Sequence, residues 1–363
     1  MPLHRAGRVG AGEAAEVLSV SVVCCRLLQG VVHFAEPLVG SSLVSQGRRM
    51  PARRKPLPPE LTTGAFGPGR AAAAGIEPGV LRGPGVQRIG RGLFLAASCD
   101  PTYQTLVAAY LTVLPAGATA VDGVSALRLW GIEVGAERPY RYVTTAKHHS
   151  IRGEVHVRRT SQDLPPCQHQ VLLPLPALVA ARLDLDLVSL VVAGDWLIRA
   201  GRATLGEVQT ALADAEGRNC RRARRAAELV RGGSESPRET RLRLLMVLAG
   251  LPEPECNIEL GDERGFIARV DLYLRTWRVA GEYEGDQHRT DPDTYARDLR
   301  RYERLVAFGV LPVRVAKAHL KRPRDVVMRI FEALVSRGYD GPPPVFGPEW
   351  CEAFEPWRRS TRP

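Results

Sequence analysis

With 363 residues, 45% of them hydrophobic, the chain is long enough for two or three domains with real cores. Its formal charge of +11 comes from arginine far more than lysine and favours a polyanionic partner, most simply nucleic acid. Seven scattered cysteines without a C-x-x-C pair exclude a disulfide framework and a structural zinc site and fit a reducing, cytoplasmic setting. No run of ~18 uncharged apolar residues exists, so no membrane partner is expected.

Residues 1–49 share no pattern with the rest of the chain. "VLSVSVVCCRLLQGVV" is broken by Arg26 and preceded by Glu13 and Glu16, unlike a signal peptide. Met50 then opens "MPARRKPLPPEL" like a natural start, so residues 1–49 read as disordered or an over-extended frame, a short amphipathic helix being the alternative. "GRVGAGEAAE" lacks the preceding strand that a phosphate loop needs.

In the segment 50–100, "FGPGRAAAAGIEPGVLRGPGVQRIGRGLFLAA" predicts two short helices broken by glycine, then a strand pair around "VQRIGRGLFLA". A winged-helix-like module has this order and would put Arg82, Arg88 and Arg91 on the turn and wing, facing DNA. A small helical subdomain with solvated arginines fits the pattern as well.

Residues 101–233 read as an α/β middle domain. "PTYQTLVAAYLTVL" and "DGVSALRLWGI" predict helices, "YRYVTT" and "EVHVRRT" strands. "PALVAARLDLDLVSLVVAGDWLIRAG", "TLGEVQTALADA" and the basic "GRNCRRARRAAELVRGG" continue in helices up to a Gly-Ser break at 232–236. His148, His149, His156 and His169 lack i, i+4 helical spacing and mark no metal site.

The last domain, 234–340, opens on "SPRETRLRLLMVLAG", with a tail at 341–363. Ser236 is the expected N-cap, Pro237 sits at N1, and Glu239 at N3 completes a capping box. Leu242, Leu245, Leu248 and Ala249 form the apolar stripe, and Gly250 ends the helix.

"ARVDLYL" and "RVAGEYE" then alternate with period 2 around a polar turn at Arg275–Arg278. If the hairpin is centred between Thr276 and Trp277, Asp271 faces Glu282 and Glu284 faces Arg269. Val270, Leu272, Leu274, Val279 and Tyr283 fall on the other, core face. Opposed carboxylates cost ~0.2–1 kcal/mol on an exposed sheet and more when desolvated. A divalent cation between them removes that cost, and carboxylate oxygens with phosphate and water suit Mg2+, with Mn2+ as a substitute. A solvated polar face is the plainer alternative, but it leaves the matched acids unexplained.

"GDQHR" puts Asp286, Gln287 and His288 at the strand end, where His288 is either structural or a general acid or base. "DPDTYARDLRRYERLVAFG" predicts a helix buried along Tyr295, Leu299, Tyr302 and Leu305. On another side Arg297, Arg301 and Arg304, with Arg300 beside them, either track a phosphate backbone or pair in solvent with Asp298 and Glu303. "VLPVRV" adds a buried strand and "RPRDVVMRIFEALVSRG" a closing helix.

The ordered blocks "SPRETRLR", "ARVDLYL", "RVAGEYEGDQH" and "ARDLRRYERL…GVLPVRV" resemble the very-short-patch-repair-like (Vsr-like) endonuclease domains of the PD-(D/E)XK superfamily. The resemblance implies a restriction-endonuclease-like mixed sheet flanked by helices and a metal-dependent endodeoxyribonuclease. It implies Asp271 and Glu282 as metal ligands, Glu284 in the place of a common lysine, and further active-site roles for His288 and Glu239. Gly281 departs from the pattern, standing where a β-former is expected. More weakly, "RAAAAGIEPGVLRGPGVQRIGRGLFLA" and "DGVSALRLWGI" are similar to the amino-terminal modules of abortive-infection type IV (AbiEi-like) antitoxins. That likeness leaves a second expectation open: a DNA-binding regulator with an inactive nuclease fold.

Overall fold

The computed structural model describes residues 57–62, 64–147, 154–263, 265–284 and 292–355, of 292–296 the backbone alone. The expectations for residues 1–49, His148, His149, Asp286, Gln287, His288 and the Tyr295 side chain lie outside the described residues. The fold is mixed α/β and forms two compact units, one running to Thr119 with Ala146–Val155, the other comprising Ala120–Thr145 and the chain from His156 on.

The first unit contains α1 (Pro68–Ala73), the 3-10 turn Val80–Arg82, β1 (Val86–Gly90), β2 (Leu93–Ala96) and α2 (Tyr103–Leu111). Where two helices were expected there is one and a single turn, because Pro78, Gly79, Gly83 and Pro84 bracket "VLR" too closely. β1 and β2 pair antiparallel through Arg91 and Gly92, whose φ of +72° suits glycine. Phe66 bridges to Phe94, and Leu61, Phe66, Ala71 and Val86 form the core beneath. Arg82, Arg88 and Arg91 are exposed along the turn and the hairpin.

The next sheet has five strands, ordered β5-β4-β3-β7-β6 from β3 (Thr119–Val121), β4 (Tyr140–Thr144), β5 (Val155–Arg159), β6 (Cys167–Gln168) and β7 (Val171–Leu172). β3, β6 and β7, three residues or fewer, are too short to show alternation in sequence. The helices are α3 (Gly123–Leu129), α4 (Pro174–Ala181), α5 (Leu187–Arg199), α6 (Leu205–Ala213) and α7 (Cys220–Leu229).

The chain does not come apart at 233. On α8 (Pro237–Val247), Arg243 is 0% exposed and its Nη2 donates to Asp195 of α5 at 3.0 Å. Thr240 Oγ1 and the Arg231 backbone N–H donate to the same carboxylate, and Arg243 Nη1 reaches Glu253 at 3.0 Å. Burial pushes the Asp195 carboxyl up, against the pull of Arg243. The expected stripe on α8 is therefore too narrow: Thr240, Arg243, Leu244 and Met246 are buried too, because α8 packs against both α5 and the last sheet.

That sheet has the order β11-β10-β9-β8, built from β8 (Glu255–Asp262), β9 (Gly265–Leu274), β10 (Val279–Glu284) and β11 (Leu311–Ala316). β8, β9 and β10 run antiparallel, while β10 and β11 run parallel, joined through α9 (Pro292–Ala307). β8 is not apparent in the sequence because "ECNIELGD" carries only two strong apolar residues. One face packs Leu272, Leu274, Val279, Val313 and Val315 against α8, α10 (Pro323–Ser336) and α11 (Pro348–Phe354). The other packs Tyr273 and Ala280 against Leu305 and Val310. Residues 341–355 are thus no tail: Trp350 is 0% exposed and its indole N–H donates to the Leu245 carbonyl at 3.0 Å. Nor does the apolar stripe of α9 hold throughout, since Leu305 is buried but Leu299 is 47% exposed.

Candidate active site

The expected hairpin forms with the expected register. Leu274 pairs with Val279, Tyr273 with Ala280 and Leu272 with Gly281, around a 3-10 turn at Arg275–Trp277. The ladder stops one step before Asp271 would meet Glu282. There the Asp271 carboxylate accepts the Tyr283 backbone N–H at 2.8 Å, replacing a ladder bond and opening the strands where the acids lie. A Cβ on Gly281 would meet Leu272 and Leu242 only at ordinary contact distances, so this residue fits its strand without strain.

Asp271, Glu282, Tyr283 and Glu284 line a cleft of about 220 Å³ with Asp298, Arg301 and Tyr302 of α9 and Arg314 of β11. This is no solvated sheet face, since Glu282 is only 8% exposed. Both Glu282 oxygens are held by Arg301, Nη2 donating to Oε1 at 2.6 Å and Nη1 to Oε2 at 3.1 Å. Glu284 does not face Arg269 as expected: Arg314 Nη2 donates to it at 2.7 Å, while Arg269 forks onto Glu235 at 2.7 and 3.0 Å. The strands have already parted, and the parallel neighbour β11 lies closer. Nor does Tyr283 join the core, for its ring is half-buried under the exposed Arg238 guanidinium, 5.1 Å from its centroid. Val270 packs with Leu260 and Ile267 instead of with Leu272.

Burial is the main force raising the Asp271 carboxyl from 3.8 to about 6. The Tyr283 N–H holds it down, Glu239 and Glu282 push it further up, and Arg301 lowers it. Glu239 does stand at the helix start, with its N–H on Ser236 Oγ at 3.2 Å. Its carboxylate does not close the expected box on the cap residue. It accepts from the Glu235 N–H at 2.8 Å and from Asn257 Nδ2 at 2.6 Å, because β8 brings Asn257 against the helix terminus.

The row Arg297, Arg301 and Arg304 is not three equivalent cations in solvent. Arg301 turns onto Glu282, Arg304 Nη2 donates to the Phe266 carbonyl, and Arg297 and Arg300 are exposed. Sequence reasoning missed Arg314, whose position beside Glu282 in the β10–β11 register is visible only with the crossover. Helical spacing offers Asp298 only as a solvent partner for arginine.

The donors bordering the cleft are oxygens of Asp271, Glu282, Glu284 and Asp298, hard ligands of the kind magnesium and manganese take. Four carboxylates on one cleft are the chemistry such an ion takes, so the residue types fit it, although Arg301 holds Glu282. Among the described residues, no three His, Cys, Asp or Glu side chains are already drawn into a ligand set.

Two Mycobacterium tuberculosis proteins are similar to this chain, "Uncharacterized protein MT2308" of strain CDC 1551 and "Uncharacterized protein Rv2248" of strain H37Rv. Each is 32% identical over 122 residues, 33% of this chain and 45% of the relative, so the match spans less than half of either relative's length. No family model matches the chain, and no solved structure matches it significantly. Among the described residues no helix is long and apolar enough to cross a membrane.

Proposed function

We propose that the protein is a metal-dependent DNA endonuclease, with the cleft between β9, β10 and α9 as its active site and a very-short-patch-repair-like, restriction-endonuclease-like architecture around it. The observation that carries this reading is the convergence of Asp271, Glu282 and Glu284 with Arg301 and Arg314 on one cleft, with Asp271 forced up to about 6. Asp271 and Glu282 would hold Mg2+ or Mn2+. Bound there, the ion would supply Lewis-acid neutralisation of charge on the phosphate and a more acidic water.

The rest falls to side chains of the chain itself. Arg314 brings to the cleft the positive charge that Glu284 cannot provide, and Glu284, anchored by it at 2.7 Å, orients the attacking water. Glu239 adds negative potential at Asp271 and favours cation capture. His288 is proposed as general acid or base. Arg297, Arg300 and Arg304 would hold flanking phosphates, while the winged-helix-like module with Arg88 and Arg91 would grip duplex DNA, in keeping with the net charge of +11. The free thiols of Cys99, Cys167, Cys220, Cys256 and Cys351 suit a cytoplasmic setting.

A second reading is a DNA-binding regulator of the antitoxin kind with an inactive nuclease fold. It is favoured by one observation, the Arg301 fork held on both oxygens of the Glu282 carboxylate. Single-stranded, duplex, mismatched and branched DNA, incubated with Mg2+, Mn2+ or EDTA, separates the two. The endonuclease cuts at least one substrate, stops in EDTA, and loses cleavage with Asp271→Ala or Glu282→Ala while still binding DNA. Cleavage unaltered in both variants overturns the proposal, and binding without any cleavage supports the regulator.

A further inference from the structure

Glu282 already carries a cation, supplied by the protein. The paired bonds from Arg301, at 2.6 and 3.1 Å, occupy both oxygens of a carboxylate that is only 8% exposed. Other nearby arginines are engaged elsewhere, Arg269 with Glu235 and Arg314 with Glu284. A second bond from Arg301 Nη2 to the Arg269 carbonyl, at 2.6 Å, braces the guanidinium against the middle of β9. Its own side chain nevertheless stays 37% exposed and borders the cleft.

Those facts conflict with simple cation binding. The fork takes one lone pair of each Glu282 oxygen and sets a full positive charge beside the carboxylate, so a divalent ion meets fewer free lone pairs and direct repulsion there. A partly exposed guanidinium can leave, and a phosphate offers it the same two-oxygen geometry that it gives up. We propose that Arg301 is a displaceable counter-ion: it closes Glu282 to divalent cations in the free protein, and a DNA phosphate draws it away, so that cation and DNA bind with positive coupling. This inference rests on the endonuclease reading. It adds that the free protein is held closed until substrate arrives, which protects a cell from a nuclease charged with metal in the absence of its target. Linkage makes the effect reciprocal: whatever factor DNA adds to cation affinity, the cation adds to DNA affinity.

The test is calorimetric titration of Mn2+ into full-length protein stripped with EDTA, with and without a short phosphorothioate duplex that resists hydrolysis. Arg301→Gln should bind Mn2+ at least about tenfold tighter than the parent when DNA is absent. The duplex should tighten Mn2+ binding about tenfold in the parent and less than about threefold in Arg301→Gln. Arg241→Gln, the same charge change on the exposed side of α8, controls for net charge and should stay within about twofold of the parent. Equal or weaker Mn2+ binding by folded Arg301→Gln, or an equal gain in Arg241→Gln, overturns the inference. If Arg301→Gln fails to fold, Arg301→Lys, which cannot fork onto both oxygens, should still bind Mn2+ several-fold tighter; no change overturns it. If Mn2+ binding is present, is lost in Asp271→Asn and ignores Arg301, this inference alone falls. If no variant binds Mn2+, the endonuclease reading falls with it.

Discussion

Two carboxylate–arginine pairs in the same compact unit have opposite characters. Asp195 is 3% exposed and receives Thr240 Oγ1, the Arg231 N–H and Arg243 Nη2 within 3.0 Å, while Arg243 also reaches the Leu229 carbonyl and Glu253. The Arg301 guanidinium bonds Glu282 alone of the two acids and reaches Asp271 only through its charge, while Asp271 receives the Tyr283 N–H. Burial raises the pKa of both aspartates, so a raised pKa does not distinguish structure from function. The difference lies in the spare acceptors. Asp195 has its bonds supplied by the fold, whereas the Asp271 group opens onto a cleft with carboxylate to spare.

The strongest way to break this comparison is Arg243→Met, which strands a buried charge on Asp195 and should cost about 3–5 kcal/mol in urea unfolding. Arg301→Gln, where the lost guanidinium is itself 37% exposed and the glutamine amide can still donate to Glu282, should cost about 1–2 kcal/mol. Equal losses would erase the distinction drawn between the two pairs.

Asp271→Asn comes next. The folded carboxyl titrates near 6 and the unfolded one near 3.8, so the native state holds the extra proton between those values. Stability from this group is therefore fully present below 3.8 and is lost as pH rises through 6. The shift of about two units corresponds to at most about 3 kcal/mol. In EDTA, Asp271→Asn should be more stable than the parent by up to that amount at pH 7.5, with the gain vanishing near pH 3.5. A variant less stable at pH 7.5 would mean that Asp271, like Asp195, is fully served by the fold.

The smallest effect is expected from Glu239→Gln. Its amide oxygen can still take the Glu235 N–H, so stability should fall by about 1 kcal/mol or less. Removing the negative charge should lower the Asp271 titration, read by carbon-detected NMR of that carboxyl. An unmoved Asp271 would show that Glu239 serves only to start the helix.

Much of the site was legible because a hairpin is a local object. The alternation on either side of Arg275–Trp277 sets the register by counting, and the pairs Leu274–Val279 and Leu272–Gly281 obey that count. Helix starts were legible for the same reason, Ser236 capping through a neighbour three residues on. The row of arginines on α9 was legible as spacing but not as function, since spacing says nothing about which cation a carboxylate across the sheet will attract.

By itself, then, the sequence determined the mixed α/β class, most of the helices, the hairpin and the placing of Asp271 and Glu282 together, because each depends on period, caps and turns between near neighbours in the chain. Only the tertiary structure decided that β8 and α11 belong to this domain, that Arg301 and Arg314 rather than Arg269 meet the acids, and that Asp195 and Arg243 join α5 to α8. Those choices depend on burial and on contacts between residues far apart in the chain, Arg314 with Glu284 across 30 positions and Trp350 with Leu245 across 105. Desolvation, which sets both the strength of such pairs and the pKa of Asp271, exists only once the chain has closed around them.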